Sequence, residues 1–263
     1  MLAPPAAGPS VSLRRYGVAE ASDLHDFHQV VLGVDGEMVM AVDGVAERID
    51  GRRAWLIPAG TRHDYAGLGP NCQLVLDLPV ASLAVPERWF ERARPFALAP
   101  ALGALVNEFA LGLAARAEAA APAPSARLHW LAAARLCEAL LGSPPERGAA
   151  AGLDFARIDH WLHARLAEPL RVADLAAHCG FGPRRFHQLF VEAFGETPHR
   201  YLLKLRLDAA VLRLDAAVLR LADPAHTLAA IAADLGFADQ SAFTHAFTRR
   251  FGIAPGRWRA GRH

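Results

Sequence analysis

One pattern occurs twice in the last third of the chain: a short helix, Gly-Phe, a longer helix, then Gly-x-x-Pro. The first copy runs Val172-Ala173-Asp174-Leu175-Ala176-Ala177-His178-Cys179-Gly180-Phe181, then Pro183-Arg184-Arg185-Phe186-His187-Gln188-Leu189-Phe190, and closes on Phe194-Gly195-Glu196-Thr197-Pro198. The second runs Leu228-Ala229-Ala230-Ile231-Ala232-Ala233-Asp234-Leu235-Gly236-Phe237, then Gln240-Ser241-Ala242-Phe243-Thr244-His245-Ala246-Phe247, and closes on Phe251-Gly252-Ile253-Ala254-Pro255. Leu175-Ala176 and Ile231-Ala232 give each short helix a small apolar face that a second helix can approach closely. Gly180 and Gly236 stand where a turn between crossed helices needs a positive φ. Phe186, Phe190 and Phe194, like Phe243, Phe247 and Phe251, recur at helical spacing and bury one face while leaving the other free. The pattern predicts two helix-turn-helix units in tandem.

Over residues 153–259 these segments closely resemble the DNA-binding domain of AraC/XylS-type transcriptional regulators. The second copy, from Ile231-Ala232 through Gly236-Phe237, Ser241, Phe243, Phe247, Phe251-Gly252 and Pro255, is the more specific match. The resemblance implies that the second helix of each unit enters a major groove of double-stranded DNA with its N-terminal turn at the base edges. By position the base-facing residues are Arg184, His187 and Gln188 in the first unit, and Gln240, Ser241, Thr244 and His245 in the second. Arginine can bond guanine through two atoms and glutamine adenine likewise. Arg185, Arg200, Lys204, Arg249, Arg250 and Arg257 are expected at phosphates, which position without specifying. Asp174 and Asp234 are expected near the starts of the two short helices, where a carboxylate suits the dipole.

Charge is divided along the chain. Residues 1–152 hold 13 Arg against 16 Asp and Glu, while residues 153–263 hold 15 Lys and Arg against 11 acids, with eight of the twelve His. An acidic sensing half and a basic DNA-facing half fit that split. Cys72, Cys137 and Cys179 are odd in number and form no C-x-x-C, which points to a reducing compartment and buried thiols. No signal peptide and no run of 18 apolar residues is present, so the expected location is the cytoplasm and no membrane contact is expected.

From Ser12 to Pro79 the pattern is short strands and turns. Gln29–Val34 and Met38–Val42 flank Asp35-Gly36, a hairpin signal. Asp43-Gly44 and Asp50-Gly51 mark further turns, and Ala54–Ile57 and Gln73–Leu78 read as strands. Evenly spaced short strands suggest a small barrel or jelly roll. Gly51, Pro58-Ala59-Gly60 and His63, with Asp23-Leu24-His25 before them, resemble the two motifs of the cupin barrel. The positions that hold metal in metal-binding cupins are Asp23, His25, Gln29 and His63 here. Asp in place of His and Gln in place of Glu weigh against a metal, leaving His25 and His63 as weak candidates, and no cofactor is expected. Alternate residues of a strand share a face, so Asp23, His25, Phe27 and Gln29 are expected to point inward and His28 to point away. His25, Gln29, His63 and Tyr65 then line either an effector pocket or merely a polar barrel mouth.

Residues 87–142 change period. Trp89-Phe90, Phe96, Leu102, Leu105-Val106, Phe109 and Leu113, then Leu128, Leu131, Leu136 and Leu140-Leu141, recur at three and four, and Pro122-Ala123-Pro124 separates two helices. The pair either docks on the barrel or forms a dimer interface. Ser143 to Gly152 reads as a linker. The expected chain is thus an α+β two-domain protein. Residues 11–142 form a cupin-like sensing domain with a helical pair. Residues 153–263 form an all-α domain in which a long helix joins two helix-turn-helix motifs. A DNA-binding regulator under small-molecule control is the leading reading, with RNA polymerase and a second copy of the chain as candidate partners. A metal-dependent cupin enzyme fused to a DNA-binding domain, or a regulator that senses no ligand, is the alternative. No nucleophile motif or phosphate-binding loop points to an enzyme.

The connecting helix carries a perfect tandem heptad, Arg206-Leu207-Asp208-Ala209-Ala210-Val211-Leu212 followed by Arg213-Leu214-Asp215-Ala216-Ala217-Val218-Leu219, then Arg220-Leu221. It looks like one heptad more than the family spacing. Seven residues add about 10 Å to a helix and rotate the chain beyond them by only about 20°. Altered half-site spacing, reading through one motif, or absorption of the insert all remain open. Arg206 and Asp208 are expected to pair with neighbouring elements.

Overall fold

The structure, a computed structural model, describes residues 8–80, 82, 85, 87–142, 153, 155–168, 170–218 and 227–260. The linker expected over 143–152 lies outside them. The chain divides into two compact units, Met1–Ser82 with Trp89–Ser143, and Leu83–Arg88 with Pro144–His263.

The first unit is built on an antiparallel sheet. Its strands are β1 (Ser10–Arg14), β2 (Ala21–Asp23), β3 (Phe27–Val42), β4 (Val45–Ile49), β5 (Arg53–Ile57), β6 (His63–Pro79) and β7 (Arg94–Ala97). They run in the order β1-β6-β3-β5-β7, with β2 added to β6 and β4 to β3. The hairpin expected at Asp35-Gly36 does not form: both flanking stretches belong to the one long strand β3, which stays paired with β6 on either side. The Asp-Gly signal serves a bulge instead. Gly36 has φ +64°, and the register shifts between Gly33 and Asp35 and again between Gly36 and Met38. A Cβ on Gly36 would lie 2.1 Å from the Pro70 carbonyl oxygen, so only glycine lets the strands stay this close. Gln73–Leu78 is likewise the second half of β6. At Asp43-Gly44 the turn does form, with φ of 49° and 79° and Val42 opposite Val45, the positive pair that a two-residue hairpin needs.

Both faces of the central sheet are buried, which is why β3 and β6 carry continuous runs such as Val30-Val31-Leu32 and Leu74-Val75-Leu76. Val31, Trp55, Ile57 and Val75 share one face with Met38, Met40, Val42 and Ile49. The other face, with Val11, Val30, Leu32 and Leu76, receives α1 (Pro100–Glu118) and α2 (Ala126–Gly142). Leu102, Val106 and Ala110 are the buried stripe of α1, and His129 of α2 accepts the Val11 N–H through Nδ1 at 3.0 Å. The helical pair therefore docks on its own sheet. Its apolar period does not start at Trp89, however. Glu87–Phe90 is a single 3-10 turn, and Phe96 lies in β7, where Pro95 sits opposite Trp55 on the last strand of the sheet order. An edge strand can carry a residue with no N–H to donate.

The second unit is helical: α3 (Phe155–His163), α4 (Val172–His178), α5 (Pro183–Phe194), α6 (Pro198–Val218), α7 (Leu228–Asp234), α8 (Gln240–Phe251) and α9 (Pro255–Arg259). The Gly-x-x-Pro tails have a local cause. Gly195 and Gly252 end α5 and α8 with φ of 70° and 73°, and Pro198 and Pro255 open the next helices at a position that needs no N–H. Phe186, Phe190 and Phe194 bury against Leu175, Ile158, Leu162, Tyr201 and Leu205. In the second copy Phe243, Phe247 and Phe251 form a chain of ring contacts that ends on Trp258.

Candidate nucleic-acid interface and inner-face site

In both units a short helix precedes a glycine turn and a longer helix. Gly180 and Gly236 hold φ of 78° and 70° between α4 and α5 and between α7 and α8. At Gly236 close packing adds to the requirement, because a Cβ would meet the Leu166 carbonyl oxygen at 2.6 Å. Asp239 starts α8 by accepting the Ala242 N–H at 2.7 Å, and Thr227 starts α7 by accepting from Ala230 at 3.1 Å. Asp174 sits in the first turn of α4, where it accepts the Arg171 N–H at 3.3 Å. Asp234 does not match it. It is the last residue of α7, level with His178, and the counterpart of Asp174 is Ala230.

The buried aromatic rows leave the opposite sides of α5 and α8 in solvent. Arg184, Arg185, His187 and Gln188 are exposed over the first turns of α5. Gln240, Ser241 and His245 are exposed on α8, with Thr244 half-buried and Arg249 exposed in the last turn. Each unit thus offers hydrogen-bonding side chains from the outer face of its second helix. Two cations expected at phosphates are committed elsewhere. Arg250 is 12% exposed, donates to the Lys204 carbonyl at 2.7 Å and forms an ion pair with Asp208. Lys204 pairs with Glu196 at 2.8 Å. Helical spacing explains the correction: Arg250 is seven residues from Phe243 and shares its inward side, whereas Arg249 falls outside it. Arg206 meets the expectation of a structural role, donating to Leu166, Glu168 and Gly236 carbonyls at 3.0, 2.8 and 3.0 Å.

In the first unit, His25, His63 and Tyr65 come together. The His25 and His63 rings are 5.1 Å apart, and His63 and Tyr65 are 6.0 Å apart. His25 stacks on Phe27 at 4.1 Å, and its Nδ1 lies 2.7 Å from the Phe27 carbonyl oxygen. Burial lowers the His63 pKa and raises that of Tyr65. Gln29 is buried too, but its amide donates to Asp77 at 2.9 Å. Asp77 also accepts from Ser10 at 3.1 Å and pairs with Arg14. Register places these groups on one face, since Ser10 lies opposite Asp77, Ser12 opposite Val75 and Arg14 opposite Gln73. Gln73 is fully buried there, and neither its amide nitrogen nor its amide oxygen has a partner among the described residues. Trp55 Nε1 and His25 Nε2 are in the same condition. Tyr16 packs beside them, its pKa pushed up to about 12, chiefly by burial. This row is not among the features expected from sequence. Its trace is the alternation Ser10-x-Ser12-x-Arg14-x-Tyr16 against Gln73-x-x-x-Asp77. Among the described residues no group of three or more His, Cys, Asp and Glu is placed to hold a metal ion.

His28 has the other parity, as expected, and stacks on Phe90 at 4.0 Å while its Nδ1 accepts the Ala59 N–H at 3.0 Å. Burial, then the nearby His25, lowers its pKa from 6.5 to about 4. The unfolded chain therefore takes up this proton first as pH falls. Stability from this group is full above about pH 6.5 and drops by about 3 kcal/mol on approaching pH 4. His63 and His129 shift in the same direction. Urea midpoints measured between pH 7 and 4 should fall steeply for the native chain and less steeply for His28→Gln.

No helix among the described residues is long and apolar enough to cross a membrane. None of the three cysteines is joined to another in a disulfide. Residues 175–261 match the family model described as a helix-turn-helix domain. The chain is 24% identical over 251 residues to the probable transcriptional regulator LumQ of Photobacterium leiognathi, covering 95% of this chain and 96% of LumQ. It is 23% identical to the uncharacterised helix-turn-helix-type regulator YobQ of Bacillus subtilis, covering 94% and 91% of the two chains. The crystal structure of ToxT from Vibrio cholerae aligns over 97% of this chain and 98% of ToxT, at 12% identity and a TM-score of 0.40. With two glycine-turned helix pairs in tandem, a helix-turn-helix domain match across both and full-length relatives named as transcriptional regulators, the chain carries an AraC-type helix-turn-helix domain and is similar along its length to transcriptional regulators.

Proposed function

We propose that the first turns of α5 and α8 read base edges in double-stranded DNA, and that a small polar effector on the inner face of the N-terminal sheet controls that reading. Arg184, His187 and Gln188 read for the first unit; Gln240, Ser241, Thr244 and His245 read for the second. Arg185 and Arg249 hold phosphates. The observation that carries this is the exposure of these polar side chains on two helices whose opposite faces are pinned by buried phenylalanines. Fluorescence anisotropy on DNA from upstream of its own gene, with a salt titration, tests it. Arg184→Ala should weaken specific binding by about 1–3 kcal/mol, roughly five- to 150-fold, and relax preference at one base pair. Unchanged affinity and unchanged preference would remove Arg184 from the reading set.

The sensing half of the proposal rests on the buried polar row. A cupin-like barrel over residues 11–142 encloses it, followed by a linker at 143–152 and the DNA-binding domain at 153–263. His25, His63 and Tyr65 line the site, with Gln29 held back by Asp77. Buried donors and acceptors without partners, at Gln73, Trp55 and His25, are costly unless something hydrogen-bonds to them. Because Arg14 and Asp77 balance each other, the row suits an uncharged polar molecule. An effector that binds one state of the protein better shifts the population towards it. The protein works in the cytoplasm, with RNA polymerase and a second copy of the chain as further partners.

A further inference from the structure

The two helix-turn-helix motifs meet backbone to backbone. Leu166 and Glu168 lie between α3 and α4, and Leu166 is buried in the same cluster as Phe186 and Phe190 of the first motif. Gly236 forms the turn between α7 and α8 of the second. A Cβ on Gly236 would lie 2.6 Å from the Leu166 carbonyl oxygen, so the second turn rests on the first motif with no room for a side chain. Gly180, the matching glycine of the first motif, has φ of 78° against 70° at Gly236. A Cβ there would meet nothing within 4 Å. The two turns share a conformation, but close packing against the other motif is found only at Gly236.

Arg206 closes this contact. On α6 it follows Tyr201, Leu202 and Leu205, which bury in the first motif's cluster. It precedes Leu207, Ala210, Val211 and Leu214, the buried stripe of a helix that also touches α7 and α9. Its guanidinium donates to the Leu166 and Glu168 carbonyls on one side, at 3.0 and 2.8 Å, and to the Gly236 carbonyl on the other, at 3.0 Å. A planar fork of donors can serve three acceptors in fixed directions at once, which the single ammonium of a lysine cannot do as well. The fit is tight: a Cβ on Gly236 would also lie 2.6 Å from a guanidinium nitrogen. Arg250 ties α8 to α6 at Lys204 and Asp208, whereas Arg206 ties the second motif to the first.

We propose that Gly236 and Arg206 form a clasp that holds α5 and α8 at one separation, and that the protein accordingly demands one half-site spacing in its DNA. Two linked readers gain avidity when the link matches the span between their sites and lose that gain when it does not. A rigid clasp makes the match strict, while a loose joint tolerates several spacings at lower affinity. Gly236 and Arg206 are thus positioning residues that act through the helices they place. The consequence for DNA rests on the reading of α5 and α8 given above; the clasp itself does not.

Labels carried by non-canonical residues at Glu192 of α5 and Ala229 of α7, both exposed, report the separation of the motifs in the full-length protein without DNA. The native chain and Gly180→Ala should each show one narrow distance. Gly236→Ala bears the same left-handed backbone as Gly180→Ala and adds the clash, so it should show a broad spread, as should Arg206→Met. Amide-exchange protection of α5 and α8 should survive in both, and Arg206→Lys should fall between Arg206→Met and the native chain. On a duplex from upstream of its own gene, roughly five base pairs inserted between the half-sites, about half a helical turn, should weaken the native chain and Gly180→Ala by about a hundredfold or more. Gly236→Ala and Arg206→Met should bind the uninterrupted duplex more weakly and lose less than about tenfold on the insertion. One narrow distance in every variant overturns the clasp. Loss of α8 protection in both Gly236→Ala and Arg206→Met overturns it too, because the contact then builds the second motif instead of placing it. Broadened distances with the native dependence on spacing overturn the link to site choice but not the clasp. If the native chain binds neither duplex, the reading of α5 and α8 fails, and the distances alone decide the clasp.

Discussion

Arg250→Ala should destabilise the second helix-turn-helix by about 3–5 kcal/mol, enough to open it selectively. The guanidinium crosses from α8 to α6, where it meets the Asp208 carboxylate and the Lys204 carbonyl, and both charged side chains are at most 15% exposed. Truncating the arginine removes the cation that Asp208 pairs with, in a setting that water hardly reaches. The pair itself is worth far less than this loss, because burying two charges offsets most of their attraction. Arg250→Met with Asp208→Leu should accordingly recover much of the stability lost in Arg250→Ala. Amide exchange of α7 to α9 gives the reading: protection falls sharply in the single variant and returns in the double one. If the single variant keeps full protection and instead weakens DNA binding with no change in folding, Arg250 is a phosphate contact after all.

Phe190→Ala should cost a similar amount, about 3–5 kcal/mol, in the first helix-turn-helix. Phe190 is fully buried, stacks on Phe194 at 3.9 Å and meets Phe186 and Tyr201 edge-on or tilted, so its removal empties the centre of the cluster. Tyr201 and Leu205 lie in that same cluster and belong to α6, so the loss reaches the helix that carries the second unit. Chemical denaturation with amide exchange should show α4 and α5 opening first. Equal loss of protection in α7 and α8 would mean that the two units fold as one cooperative block.

The second unit was legible in the sequence because its signals are local. Glycine turns, Gly-x-x-Pro tails and a phenylalanine every three or four residues each dictate a conformation within a few residues of themselves. Arg250 escaped because its partners, Lys204 and Asp208, are more than 40 residues away, and nothing near it distinguishes it from exposed Arg249. In the sheet, alternation placed the strands but not their continuity. Asp35-Gly36 satisfies a hairpin and a bulge equally well, and the choice was made by β6, whose Pro70 backbone lies against Gly36. Trp89 to Phe96 read as helical because three apolar residues at mixed spacing fit either period. The polar inner row was hidden for another reason. Ser10, Arg14 and Asp77 look like ordinary surface residues until β1 is laid beside β6.

The contact between His129 and the Val11 N–H bears on how the protein behaves in a crowd. β1 ends the sheet order, and an edge strand with unspent donors is a template on which another chain can add a strand and seed insoluble aggregates. The imidazole of α2 occupies one such donor, and the helix that carries it packs against β1. The arrangement holds only while Nδ1 keeps its lone pair, and burial, which lowers the His129 pKa, favours that neutral form. The same histidine that anchors a helix thus guards the sheet against uncontrolled growth.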